Sequence, residues 1–142
     1  MSITSANAII TISQAILFPT AEQIQGFAAD DLYDMESVNI IDELMGADGT
    51  LSFGFVFAPR PMTITLQADS ASNDVFDAIA TQQQAAEDVY PLDGTILLKG
   101  LSRQLILTNG ALKNYKPFPD GKKTLTPRKY MITWNTAVPA PA

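Results

Sequence analysis

Apolar and polar residues alternate along much of the chain, most clearly between residues 51 and 67. Leu51, Phe53, Phe55 and Phe57 occupy every second position, and residues 62–67 repeat the pattern. A period of two predicts half-buried antiparallel β-strands in both segments. The same reasoning predicts strands over residues 8–18 and 130–134 and a weaker one after Ile24, or about seven or eight strands in all.

Four dipeptides of a turn-forming type lie between or beside these segments. Asparagine or aspartate followed by glycine suits the positive φ of a two-residue hairpin turn. On this basis we predict hairpin turns at Asp48-Gly49 and Asn109-Gly110, and further turns or loops at Asp93-Gly94 and Asp120-Gly121.

One segment changes period. Between residues 72 and 86, Val75, Phe76 and Ile79 recur at helical spacing, and Ser70 or Ser72 could cap the helix at its start. The predicted fold class is therefore mainly β: an antiparallel β-sandwich or partly closed barrel with one flanking α-helix at about residues 72–86. We expect a single domain over residues 1–136, followed by a flexible C-terminal tail at 137–142.

The 142-residue chain contains neither cysteine nor histidine, so thiolate ligands and the commonest general base are missing. A carboxylate pair among residues 30–36 remains conceivable, since some hydrolases need only two acids, and Asp30, Asp34 and Glu36 could form a loose calcium site. The EF-hand pattern fails, because Met35 replaces its glycine and Ile41 its glutamate. Adjacent acids in a loop are more often solvated, so we predict that the protein is not an enzyme.

Charge is sorted along the sequence. Residues 1–59 hold eight acids and no base, whereas residues 99–129 hold eight of the nine bases and a single acid, Asp120. If the two segments lie on different surfaces, the molecule is complementary to a copy of itself in a head-to-tail contact. The alternative is that the two segments pair within one subunit.

Two other binding functions are weaker interpretations. The bases of residues 122–129, with Tyr115 and Phe118 nearby, could form a platform for single-stranded nucleic acid, but the net charge of −6 opposes binding to phosphates. A carbohydrate-binding β-sandwich would use exposed aromatic side chains such as Trp134 and Tyr115 to stack on sugar rings.

Five segments are similar in sequence to a known protein family: residues 31–38, 46–55, 62–70, 108–110 and 130–134. In order and coverage, from about residue 27 to 134, they resemble the tail tube proteins of contractile-tailed bacteriophages. The resemblance implies a structural virion protein whose hexameric rings stack into a tube inside the sheath, assembled in the host cytoplasm. Tube subunits of phage-derived bacteriocins or type VI-like secretion systems remain an alternative.

The resemblance also implies partners and the absence of an active site. The partners would be further copies of the chain, the tail sheath protein, the tape measure, the baseplate and the tail terminator. Double-stranded DNA would pass through the lumen without specific binding, and no cofactor, metal, membrane or catalytic residue is implied.

Charge and resemblance together suggest two sets of candidate residues. We hypothesise that part of the acidic set faces the lumen, because like charge keeps DNA from adhering, and that the basic set faces a neighbouring subunit or ring. The lumen-facing candidates are Asp30, Asp31, Asp34, Glu36, Asp42, Glu43 and Asp48. The subunit-interface candidates are Lys113, Lys116, Lys122, Lys123, Arg128 and Lys129.

Overall fold

The computed structural model describes residues 8–28 and 32–142. Within them the chain forms nine β-strands and one α-helix, with a short 3-10 turn at Lys99–Leu101. The strands are β1 Ala8–Gln14, β2 Phe18–Ile24, β3 Tyr33–Met35, β4 Ile41–Met45, β5 Leu51–Phe55, β6 Arg60–Leu66, β7 Leu92–Leu98, β8 Arg103–Tyr115 and β9 Arg128–Pro141. The helix α1 spans Asn73–Ala86.

Seven of the strands form one antiparallel sheet, here called the main sheet, in the order β2-β1-β7-β8-β9-β6-β3. Strands β4 and β5 form a separate two-stranded hairpin. The long β8 and β9 strands pair from Arg103 opposite Pro141 to Tyr115 opposite Tyr130, which makes them the central ribbon of the main sheet.

The core lies on one side of the main sheet, beneath α1. Phe76 of α1 stacks on Tyr130 of β9 with ring centroids 4.3 Å apart, and the Tyr130 hydroxyl donates to Oδ1 of Asn73 (2.7 Å). Residues from β2 and β6, near opposite edges of the sheet, belong to the same buried cluster, so the sheet curls around one core. The predicted fold class, mainly β and antiparallel with one flanking helix, is confirmed.

The helix follows the prediction closely, but its start is stabilised differently. Ser72 makes no side-chain capping bond; its Oγ instead accepts a hydrogen bond from the Gln25 N–H (2.8 Å). Asn73 donates through Nδ2 to the carbonyl oxygen of Gln67 (3.0 Å). These bonds tie the beginning of α1 to the segments around it.

Two of the predicted turns are positions inside strands. Asn109-Gly110 lies within β8 and Asp93-Gly94 within β7, where the pairing of these two strands shifts register. A Cβ atom added at Gly110 would overlap the indole of Trp134, and one at Gly94 would come within 3.3 Å of it. Gly110 is required for close packing against Trp134, and Gly94 because an added Cβ would lie 2.7 Å from the carbonyl oxygen of Thr11; neither glycine reverses the chain. Asp48-Gly49 does form the predicted turn, between β4 and β5.

The C-terminus also differs from its predicted form. Residues 137–141 are not a flexible tail but the last part of β9, with Ala137 opposite Leu107 and Pro139 opposite Leu105. The Ala142 N–H donates to the carbonyl oxygen of Ser102 (2.9 Å). Proline lacks an N–H donor, but its carbonyl oxygen still accepts, and Pro141 receives a bond from Gln104 Nε2 (3.3 Å).

Strand β6 separates two projecting parts of the molecule. The chain enters β6 at Arg60 from the β4–β5 hairpin. At the other end, Leu66 lies opposite Arg128, where the loop of residues 116–127 enters β9. A strand of seven residues spans about 20 Å. The hairpin and the loop therefore leave the main sheet at opposite ends.

Candidate assembly interface

The β4–β5 hairpin exposes an apolar face. Every residue of both strands is exposed. Because Ile41 pairs with Phe55 and Met45 with Leu51, these side chains share one face with Phe53. Phe53 is 62% exposed and Phe55 68%. The prediction of a half-buried strand at residues 51–57 is therefore wrong within the subunit, because nothing in the described part of the chain covers this face.

Such a hairpin needs a partner. An isolated two-stranded ribbon is marginally stable in water, and a contiguous exposed apolar patch marks an interaction surface. The Val56 N–H donates to the carbonyl oxygen of Ile40 (3.0 Å), so the ladder continues beyond the strands toward the main sheet. We refer to residues 40–56 as the acidic hairpin, because they carry Asp42, Glu43 and Asp48 and no Lys or Arg.

The tip of the acidic hairpin is held by its own hydrogen bonds. Asp48 Oδ1 accepts from the Thr50 N–H (3.0 Å), and the Gly46 N–H donates to the carbonyl oxygen of Thr50 (2.8 Å). Gly49 has a φ of +85°, a backbone conformation that glycine adopts readily and residues with a Cβ atom rarely do. The bond from Thr50 lowers the pKa of the Asp48 carboxyl below its ordinary value. The turn is thus defined without help from a partner.

The other lumen-facing candidates are spread over several places. Asp34 lies on β3 with its side chain exposed, and Glu36 follows that strand. Asp30 and Asp31 lie outside the described residues, and the predicted carboxylate pair and calcium site fall there with them. Asp34 is the one member of the set on the main sheet within residues 8–28 and 32–142.

Lys129, an interface candidate, lies near one of these acids. It lines a shallow depression that also contains Asp34, Thr63, Thr65 and Asn114. We had hypothesised that the acidic and basic sets lie on different surfaces. Lys129 departs from this, because it lies on the same surface as Asp34. The reason is the pairing order, since β3, β6 and β9 are neighbours in the main sheet.

Arg128 is not a surface residue. It is 5% exposed, and its guanidinium donates two hydrogen bonds to the Asp77 carboxylate, the shorter at 2.7 Å, and one to the carbonyl oxygen of Lys116 (2.9 Å). These contacts, with the Asp77 bond foremost, raise the pKa of Arg128. Its predicted place in a subunit interface is corrected: Arg128 joins β9 to α1 within one subunit.

The remaining bases cluster near one end of the main sheet. Lys113 lies on β8, and Lys122 and Lys123 lie in the loop of residues 116–127, which we call the basic loop. Lys116 pairs with Asp120 across 2.7 Å within that loop. This contact lowers the pKa of the Asp120 carboxyl.

Ion pairing within the subunit does not join the two charge segments. Across residues 8–28 and 32–142, the two ion pairs link Arg128 to Asp77 and Lys116 to Asp120. Both acids lie outside the acidic segment of residues 1–59. The described acids of that segment therefore form no ion pair with a Lys or Arg of their own chain.

Threonines on the side of the main sheet facing away from the core were missed in the sequence. The hydroxyls of Thr11 and Thr95 hydrogen-bond across β1 and β7 (2.6 Å), and those of Thr108 and Thr136 across β8 and β9. Thr63 lies opposite Asp34. A signal was present, because threonine alternates with core residues in residues 62–66.

The carbohydrate-binding alternative loses one of its two named aromatic residues. Trp134 is fully buried in the core and cannot stack on a sugar ring. Among the described residues, no group of three or more acids is placed to hold a metal ion, and no helix combines the length and apolar character needed to cross a membrane.

Solved structures of contractile injection systems have the same fold. A chain of the sheath/tube terminator of the extracellular contractile injection system PVC, in the extended state, matches with a TM-score of 0.68 at 13% identity, covering 99% of this chain and 97% of that one. A chain of the PVC sheath-tube complex matches at 0.66 and 13%, covering 99% and 93%. One from the cap of the anti-feeding prophage matches at 0.64 and 12%, covering 100% and 93%.

The match to a phage-tail family model, together with the shared fold, identifies a structural protein of the phage-tail type, and the resemblance to contractile-tail proteins is confirmed at this level. A family model described as tail fiber protein gp32 matches residues 1–138, and the chain belongs to this family. No protein with a curated description matches the chain.

Proposed function

We propose that this protein is the subunit of the inner tail tube of a contractile phage tail, forming hexameric rings that stack into a conduit for double-stranded DNA. The observation that carries the proposal is the acidic hairpin, whose apolar face has no cover among the residues that the structure describes. The likeness to a chain of a sheath-tube complex over 99% of this chain supports it.

Self-association explains how the exposed apolar face of the hairpin is covered. When one surface of a subunit binds a different surface of the next copy, the contact closes into a ring or continues as a filament. Every hairpin inside such an assembly is covered, and edge strands such as β2 and β3 gain neighbours. A tube of stacked rings satisfies both requirements.

The channel wall of the proposed tube includes part of the acidic set. Asp34 is its best-placed described member, because it lies beside Thr63 on the side of the main sheet that faces away from the core. Carboxylates repel DNA phosphates over a Debye length of about 8 Å, and Asp34 offsets the attraction of Lys129, which lines the same depression. DNA would pass without specific binding.

The remaining partners follow from the resemblance. A sheath would surround the tube in the virion, with a tape measure, a baseplate and a terminator completing the tail. No enzymatic activity is part of the proposal. A bacteriocin or type VI-like secretion tube would use the same subunit geometry.

A second candidate is a ring that terminates the tube. It is favoured by the similarity to chains of a terminator and of a cap structure. A terminator would form single rings that do not extend, whereas a tube subunit forms stacks.

Negative-stain microscopy of the purified protein tests the proposal. Tubes support the tube subunit, isolated rings support the terminator, and uniform small monomers at high protein concentration contradict both. The double variant Phe53→Ser/Phe55→Ser should remain folded and lose assembly. Val89→Ser removes an apolar side chain that is 58% exposed in the segment after α1, and it should assemble normally.

A further inference from the structure

Two projecting surfaces of the subunit are complementary in more than charge. The acidic hairpin combines carboxylates with exposed aromatic side chains. The basic loop combines Lys122 and Lys123 with Phe118, which is 78% exposed, and Leu125, which is 55% exposed. Each surface thus presents apolar groups together with one sign of free charge.

A cleft beside the basic loop could receive apolar side chains. It has a volume of about 590 Å³ and is lined by Gln67, Ala68 and Asp69 after β6 and by Thr124, Leu125 and Pro127 of the basic loop. Most of its surface is apolar. This cleft lies at the Leu66 end of β6, the end away from the hairpin.

The position of Glu43 restricts what can cover the hairpin. Glu43 lies directly opposite Phe53, so its carboxylate stands in the middle of the apolar face. If a purely apolar surface covered that face, the Glu43 carboxylate would be buried without a partner. This costs free energy unless a cation pairs with it. The partner surface must therefore supply a base among apolar groups, as Lys122 and Lys123 do beside Leu125.

One subunit cannot bring its own two surfaces together, because they leave opposite ends of β6, about 20 Å apart. A second copy displaced along the direction of β6 would place its basic loop against the hairpin of the first. The contact is head-to-tail and repeats with each added copy.

We infer that the acidic hairpin of one copy docks on the basic loop of the next, with Glu43 pairing with Lys122 or Lys123 and the hairpin aromatics meeting Phe118 and Leu125. The inference deepens the proposed tube function and rests on it. It transfers the hairpin acids Asp42, Glu43 and Asp48 from the channel wall to the contact between subunits.

The absence of cysteine allows a direct test. A chain carrying Glu43→Cys and Lys122→Cys, and a second carrying Glu43→Cys and Lys123→Cys, are oxidised and run on a non-reducing gel. A disulfide needs Cα atoms within about 7 Å, so the two surfaces must touch. We expect a ladder of covalent oligomers from at least one chain. The control, Glu43→Cys with Val89→Cys, should give no ladder.

Charge exchange gives a second test in the native protein. Glu43→Lys, and separately Lys122→Glu/Lys123→Glu, should each raise the concentration required for assembly about tenfold or more, and combining all three changes should recover most of the loss. Glu87→Lys alters the net charge as much as Glu43→Lys but lies just after α1, outside both docking surfaces, and it should have little effect.

The outcomes separate the inference from the function. Tubes without a ladder from either cysteine chain, or without recovery in the combined variant, overturn this docking contact and leave the tube function standing. Unmodified protein that forms neither rings nor tubes overturns both.

Discussion

Strands β5 and β9 have the same sequence pattern and opposite environments. Leu51, Phe53 and Phe55 alternate with small or polar residues just as Tyr130, Ile132 and Trp134 do, yet the first three are exposed and the last three are fully buried. Alternation identifies a strand with one apolar face. It does not say whether the cover comes from the same chain or from another copy, and that difference separates folding from assembly in this protein.

The sharpest way to break this comparison is to truncate one aromatic residue in each strand. Trp134→Ala should lower the free energy of unfolding by about 3–5 kcal/mol, because it empties the centre of the core. Phe53→Ala should leave the stability of the dispersed subunit nearly unchanged. Urea denaturation at a concentration below assembly measures both, and equal losses would contradict the comparison.

Two glycines provide a gentler version of the same test. Gly110→Ala forces a methyl group into the Trp134 ring, an overpacking that should cost about 1–3 kcal/mol. Gly54→Ala meets no atom within 4 Å and should not lower the stability of the subunit. A Gly110→Ala protein as stable as the unmodified one would show that the core around Trp134 yields easily.

The two ion pairs extend the contrast to charged groups. Asp77→Ala leaves the guanidinium of buried Arg128 with one acceptor, and since Asp77 is itself 42% exposed we expect a loss of about 1–2 kcal/mol. Asp120→Ala breaks an exposed pair that water and salt screen, and it should lower stability less than Asp77→Ala does. Thermal unfolding of the two variants side by side shows whether burial sets the difference.

The smallest expected effect is on the hairpin tip. The folded-state pKa of Asp48 is depressed by the Thr50 N–H, so the stabilisation is present above the unfolded value of about 3.9 and is lost as pH falls through the folded value. NMR titration should place the Asp48 carboxyl below that value, and the Thr50 amide should exchange faster at the acid end. A carboxyl that titrates at the ordinary value would show that the turn is open in solution.

The fold class, α1 and most strands could be predicted because their signals are local. Residues 73–86 carry a helical period, and residues 60–66 a strand period, that no neighbour has to supply. The errors arose where tertiary packing decides. Asn109-Gly110 has the composition of a turn, but Gly110 lies within β8, where its lack of a side chain lets the Trp134 ring pack against it.

The candidate site was less predictable, for the same reason. Charge sorting singled out two segments, but it could not show that Arg128 reaches Asp77, which lies 51 residues away in the chain. Nor could alternation show that the face of Phe53 and Phe55 is left uncovered, because exposure depends on which elements pack together.

The acidic hairpin also leaves and re-enters the main sheet at almost the same place. The Glu36 N–H lies 3.4 Å from the carbonyl oxygen of Pro61, so the excursion between them begins and ends at neighbouring points. Loop closure depends only weakly on the length of the enclosed segment. The excursion can therefore be shortened, extended or exchanged while β3 and β6 keep their register, which makes it a replaceable module for setting which copies recognise one another.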